Sequence, residues 1–273
     1  MNTIFCSGMM RSGSTWSYNA VRAIAYIAAE AVDIPFVSTY LDADSIDPFL
    51  SEHAGAAGVA VIKSHSVTPY VVDLARQGAV RNVCTFRDPR DSVASRQKFK
   101  DESIGSSIEQ VKASMAPLFH FGDETLFIDY RDILDNPTET LTRIAAYLNV
   151  SLPAAYYAAI LDELSQEKMA AVSAATDGID KNFHLHRNHL NGGIVGRWKD
   201  ELSETDVALV QRELAAEIGW FTNQSSHRGA VDETSKLHAT LRIPGQSPVE
   251  PGHQRGGTGP VLGEAQHGRA DRG

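Results

Sequence analysis

The stretch FCSGMMRSGSTW, residues 5 to 16, constrains the fold more than any other part of the chain. An apolar run passes directly into a Gly/Ser turn, and a helix-forming segment follows. Gly8 and Gly13 stand at the separation of a phosphate-binding loop and Thr15 closes the pattern, but Ser14 occupies the lysine position. Glycines let backbone N–H groups turn inward, and a helix N-terminus adds partial positive charge, so this turn suits an anion.

The rest of the sequence repeats the theme of short apolar run and helix. NTIFCSG reads as a first strand from about Thr3, with a helix over 14–31. GVAVIKSH (58–65), VRNVCTFRDP (80–89) and ETLFIDYRDIL (124–134) are further strand-like runs, and helices are predicted near 138–149 and 153–175. A last helix starts at LSETDVALVQ, where Ser203 and Asp206 resemble a capping box. Alternation of this kind predicts an α/β fold with an open, mostly parallel sheet flanked by helices. Such sheets bind ligands beyond the carboxyl ends of their strands. Polar residues gather there: Arg11 to Thr15, then Lys63-Ser64-His65, then Arg87-Asp88.

Composition divides the chain. With 273 residues, 42% of them hydrophobic, it can bury one substantial core. From Asn223 onward there is no aromatic residue, and 9 of the 21 glycines and 4 of the 11 prolines fall there. That composition does not offset chain entropy, so 1–222 is expected to be the domain and 223–273 a disordered tail. Net charge is −9; the tail carries six Lys/Arg against five Asp/Glu, which leaves the domain at −10. A surface this acidic argues against nucleic acid or an anionic membrane as partner. Cys6 and Cys84 read as reduced core thiols, in keeping with a cytoplasmic chain. No signal peptide is expected before the first strand, and the Ala-rich run 20–32, broken by Arg22 and Glu30, is too short to span a bilayer.

Four clusters carry chemistry. In the first, Arg11, Ser12, Ser14 and Thr15 add side-chain donors to the turn, and Trp16 offers a face to an aromatic base. In the second, Lys63 and His65 lie two apart at a strand end and point to one side. A histidine there accepts a proton, and a lysine stabilises a developing anion. In the third, Asp88 is an N-cap with Pro89 at the first helical position. Ser92, Ser95 and Phe99 share a face of that helix, so Arg87 and Ser95 can close on one phosphate. In the fourth, RNHLNGGIVGRWK, the glycines predict a mobile loop carrying Arg187, Arg197 and Lys199 over an anion. His184, His186 and His189 lack a carboxylate or cysteine at ligand spacing, so no metal is expected.

Together these clusters resemble the PAPS-dependent sulfotransferase family, where PAPS is 3′-phosphoadenosine 5′-phosphosulfate. Arg11-Ser12-Gly13-Ser14-Thr15-Trp16 resembles the family's first motif, Lys63-Ser64-His65 its K-[ST]-H motif, and Arg87 through Ser95 its R-[ND]-P-[KR]-D-x-x-x-S motif. YRDILDNP, from Tyr130 to Pro137, is similar to its Y-E-D-[LM]…N-P segment. Gly193, Gly196, Trp198 and Lys199 match its closing G-x-x-G-x-W-[KR].

The resemblance implies a three-layer P-loop-like fold with PAPS as sulfuryl donor, no metal, and a small-molecule or carbohydrate hydroxyl (or amine) as acceptor. It implies that the first loop cradles the 5′-phosphosulfate, a smaller target than a triphosphate. Trp16 would stack on adenine with Tyr130 near the base, and Arg87 and Ser95 would hold the 3′-phosphate. His65 would be the general base, with Arg11 and Lys63 stabilising charge.

Two departures are informative. Arg11 replaces the lysine of the soluble small-molecule branch and resembles the carbohydrate-type branch, where a glutamate base is common; Glu52 or Asp42 would then serve. Asn191-Gly192 replace an Arg-Lys pair, so Arg187, His189 or Arg197 would stand in for it. A P-loop nucleotide kinase and a non-catalytic nucleotide-binding module are the other readings of these residues. Ser14 argues against the first, and the Lys63–His65 pair against the second.

The tail is expected to be dispensable. A chain ending near Asn223 should keep the melting temperature and activity of the full chain, as measured by thermal denaturation and assay.

Overall fold

A computed structural model of the chain describes residues 1–176, 179–180, 183, 185–186 and 193–226. The chain begins β1 (Asn2–Gly8), α1 (Ser14–Glu30), β2 (Phe36–Tyr40), α2 (Ala43–Glu52), β3 (Val59–Lys63) and α3 (Pro69–Arg76). It continues with β4 (Val80–Phe86), α4 (Pro89–Lys100), α5 (Ile104–Met115), a 3₁₀ turn (Ala116–His120), β5 (Leu126–Asp129), α6 (Tyr130–Asp135) and α7 (Pro137–Tyr147). Then come α8 (Ala154–Glu163), α9 (Gln166–Ala175), the short antiparallel pair β6 (Ile179–Asp180) and β7 (Leu185–His186), α10 (Trp198–Glu201), α11 (Glu204–Glu213) and α12 (Ala215–Ser226).

Five strands form one parallel sheet in the order β2-β3-β1-β4-β5. Alternation along each strand sends side chains to two separate cores. Ile4, Val61, Val83 and Ile128 face a cluster with α1 and α7, through Val21, Ile24, Leu141 and Ile144. Phe5, Ile62, Cys84 and Phe86 face the other, with Val71, Val93, Val111 and Phe221. The result is a three-layer α/β fold, as the sequence predicts. Both cysteines are buried and free, and burial pushes both thiols up. No helix among the described residues is long and apolar enough to cross a membrane.

Several element boundaries differ from the sequence reading. The run 124–134 is not one strand: β5 stops at Asp129, whose carboxylate accepts the Arg131 N–H at 2.8 Å and starts α6. The predicted helix 153–175 is two, because Ser165 caps α9 through the Lys168 N–H. The last helix divides at Leu214, and its second part runs to Ser226, past the expected limit at 222. Ser203 does cap α11, accepting the Asp206 N–H at 3.1 Å and bonding the Asp206 carboxylate at 2.8 Å. Edge strand β2 and helix α2, with Pro48 inside it, are not predicted. The rest of the tail, 227–273, lies outside the described residues.

The central strand ends where it must be thin. A Cβ on Gly8 would lie 2.2 Å from Thr85 Oγ1 and 2.9 Å from the Thr85 carbonyl oxygen. β1 and β4 approach this closely because the Met9 N–H donates to Thr85 O at 3.1 Å. Gly8→Ala should therefore destabilise the protein by about 1–3 kcal/mol, the scale of overpacking. Urea denaturation reads this directly, and an unchanged midpoint would mean that the two strand ends separate without cost.

Candidate active site

The carboxyl ends of β1, β3 and β4 meet over one cavity of about 530 Å³. Gly13, at φ 82°, is the N-cap of α1; a Cβ there would stand 2.8 Å from Ile133 Cδ1 and 3.0 Å from the Tyr130 ring. Glycine thus allows the loop to lie against α6. Helix α1 has no acidic residue in its first turn, so no carboxylate of its own offsets its positive end.

The cation that Ser14 does not provide comes from a neighbouring strand. Lys63, buried at the end of β3, donates from Nζ to Thr15 Oγ1 at 2.6 Å. Burial lowers its pKa to about 8. Arg11 is a non-glycine residue in the left-handed region, at φ 63°, a costly conformation found where surrounding contacts impose it. Its Nε donates to Ser95 Oγ at 3.1 Å and its guanidinium lies 4.5 Å above the Phe99 ring. Burial, with the charges of Arg87, Arg197 and Arg96, lowers Arg11 to about 10, against the opposing influence of Tyr130.

Arg87 sits at the end of β4, its guanidinium 4.2 Å from the Tyr130 ring centroid. It donates to the carbonyls of Arg11 (3.3 Å) and Ile194, while its buried Nε has no hydrogen-bond partner among the described residues. Burial lowers its pKa too, opposed by Asp91.

His65 lies two residues beyond Lys63 and lines the cavity. Its Nδ1 is buried without a hydrogen-bond partner among the described residues. Burial first, then the charge of Lys63, brings its pKa down to about 4; Arg11 and Arg96 act in the same direction and the Gly8 carbonyl against it. The ordinary value near ~6.5 is therefore corrected downward, because the ring is enclosed and surrounded by cations.

Of the residues predicted from sequence, Arg11, Gly13, Ser14, Thr15 and Trp16 line the cavity, as do His65, Arg87, Ser95, Tyr130, Gly193 and Arg197. Four do not. The Ser12 hydroxyl turns into the sheet, bonding Met9 O at 2.6 Å and Thr85 Oγ1 at 2.7 Å. Lys63 stands behind Thr15. Gly196 is tied to Asp91, and the Trp198 ring lies under the Arg90 guanidinium at 4.2 Å. Asp42 and Glu52 are exposed at the two ends of α2 and do not line the cavity, so the structure does not bring either carboxylate to it. Arg187, His184, His189, Asn191 and Gly192, and the His186 side chain, lie outside the described residues.

Sequence reasoning missed Arg96 and Lys100, which add cations to the cavity wall, and the apolar wall of α8 and α9, including Leu161, Leu164 and Met169. Period-four spacing from Ser92 along α4 could have found Arg96 and Lys100; the α8–α9 wall carries no local signal. Asp91, which falls inside the Arg87-to-Ser95 motif, has a part that its spacing does not reveal. Its buried carboxylate accepts the Gly196 N–H at 2.8 Å and the Trp198 N–H at 3.2 Å, and pairs with Arg87 at 3.3 Å. One side chain thus fastens the closing glycine segment to α4. Asp91→Ala should cost about 3–5 kcal/mol, the scale for stranding a buried charge. Asp91→Asn should cost less, and urea denaturation of the two variants checks the order.

A family model described as a sulfotransferase domain matches residues 2–219. A search of curated proteins found no match. Among solved structures, a mouse sulfotransferase, SULT7A1, complexed with PAP is similar over 83% of this chain and 88% of its own, with a TM-score of 0.59 and 16% identity. A retinol dehydratase in complex with androsterone and the inactive cofactor PAP is similar over 78% of this chain and 80% of its own, with a TM-score of 0.52 and 18% identity. The same enzyme name, in a complex with retinol and PAP, gives 0.51 and 17% over the same shares. At these identities the solved structures share the fold, and the family match over residues 2–219 adds the lineage: this chain belongs to the sulfotransferase domain family.

Proposed function

We propose that this chain transfers a sulfuryl group from PAPS to an acceptor hydroxyl, with His65 as general base. The observation that carries the reading is a cavity into which the loop after β1 and the end of β4 bring Arg11 and Arg87, with Arg197 and His65 also lining it and no carboxylate lining it among the described residues. A cavity so charged fits a polyanion. The similar solved structures that hold PAP support the same ligand here.

In this reading the α1 N-terminus and Arg11 hold the phosphosulfate, Lys63 adds its charge from behind Thr15, and Arg87 and Ser95 hold the 3′-phosphate. Trp16 and Tyr130 flank the base. His65 takes the proton of the acceptor hydroxyl as its oxygen bonds to sulfur. The bond between sulfur and the bridging oxygen breaks, and adenosine 3′,5′-bisphosphate leaves. Arg11 stays charged throughout and stabilises the bridging oxygen without giving up a proton. Positioning and electrostatics supply the rate, as in related phosphoryl transfers. Residues 1–222, continued by α12 to Ser226, form the catalytic domain.

Radiolabelled PAPS offered with a panel of acceptors, beside calorimetry with the desulfated nucleotide, tests the assignment. Adenosine 3′,5′-bisphosphate should bind far more tightly than ADP or ATP, and Arg87→Ala should weaken it by about 2–5 kcal/mol. Equal affinity for ATP would remove the 3′-phosphate site.

His65→Ala should cut turnover at least ~10²-fold with little change in nucleotide affinity. The sign of its pH dependence follows from its enclosure: the imidazole stays neutral, and able to accept a proton, below the usual range. The acid limb of kcat/KM for PAPS should therefore lie well under pH 6.5, toward about 4. A limb at or above 6.5, or near-normal turnover in the variant, would assign the base elsewhere.

A further inference from the structure

Donor anchoring accounts for Arg11, Lys63, Arg87 and Arg197, but not for the cations on the far half of α4. Arg96 and Lys100 are one turn apart on the same face. Both line the cavity, and Phe99, under Arg11, lies between them. Arg96 is held in place: it pairs with Glu102, which also accepts from Ser107 Oγ at 2.9 Å, and its Nη1 meets Met10 Sδ at 3.0 Å. Arg96, Phe99 and Lys100 line the same cavity as His65, the group that would meet the acceptor hydroxyl. Lys100 is exposed, with Nζ 5.0 Å from the Phe99 ring centroid. Among the described residues no carboxylate lines this half of the cavity.

From this wall we infer that the acceptor is itself an anion: a hydroxyl compound carrying a carboxylate, phosphate or sulfate group that Arg96 and Lys100 receive while its body packs on Phe99. The inference rests on the sulfotransfer reading above and adds the acceptor's charge to it. A neutral acceptor would leave Lys100 unused and bring no counter-charge to a wall of cations. An anionic one gains from both, and Coulomb attraction in a half-enclosed cavity is stronger than in open solvent. Attraction of this kind also weakens with ionic strength.

Matched acceptors provide the test: 4-hydroxybenzoate against its methyl ester, and methyl β-glucuronide against methyl β-glucoside. Each is assayed with radiolabelled PAPS, and its binding to the enzyme saturated with adenosine 3′,5′-bisphosphate is measured by calorimetry. The carboxylate member of a pair should be preferred at least ~10-fold in kcat/KM or in binding, with the preference shrinking as salt rises. Lys100→Gln and Arg96→Gln should each reduce that ratio several-fold, while affinity for the nucleotide changes less than twofold. Lys100 is exposed, so its variant does not threaten the fold, which leaves the test valid if Arg96→Gln is unstable. Equal treatment of acid and ester overturns the inference, as does failure of every carboxylate to bind or a ratio unmoved by both variants. The sulfotransfer reading fails separately, if carboxylates bind the nucleotide complex but no label leaves PAPS for any acceptor.

Discussion

Lys63 reaches from the end of β3 to Thr15 Oγ1 at 2.6 Å, and the rest of the site is arranged around this buried contact. It joins two neighbouring strands at their carboxyl ends, because β1 pairs with β3 in parallel, with Cys6 opposite Lys63. A parallel register brings like ends together, so loops after β1 and β3 must share one volume. A positive charge placed behind the loop, rather than in it, leaves the loop itself free to follow a smaller anion.

Concentrating cations in one cavity is unfavourable unless something offsets them. The protein does this from outside the cavity lining. Asp91 pairs with Arg87, Glu201 with Arg197 at 3.1 Å, and Glu102 with Arg96. None of the three carboxylates lines the cavity. The arrangement keeps the arginines in place and keeps negative charge off the lining. Asp91 does more, since its two N–H partners in the closing segment make the position of that segment depend on the same buried charge.

Much of this was legible locally. The strand ends at Gly8, Lys63 and Phe86, the α1 start after Gly13 and the α4 start after Asp88 follow from turn glycines, caps and apolar runs, which act within a few residues. The misplaced boundaries share a cause. Asp129 and Ser165 cap helices inside stretches whose apolar pattern runs on unbroken, and a single side-chain cap outweighs that pattern. The exposed edge strand β2 has little apolar signal because only one neighbour, β3, covers it.

The sequence by itself determined the α/β layering, the family, and eleven of the residues that line the cavity. Those depend on short-range periodicity and on motifs whose members are close together. Tertiary structure alone decided the direction each group faces. Ser12 turns inward because the Thr85 backbone and hydroxyl lie beneath it. Trp198 is drawn away under Arg90, and His65 is depressed because burial and Lys63 act together. It also decided that Arg96 and Lys100 share a cavity with His65. Contacts between residues far apart in the chain have no trace in local spacing, since they are fixed only when the strands pair and the helices pack.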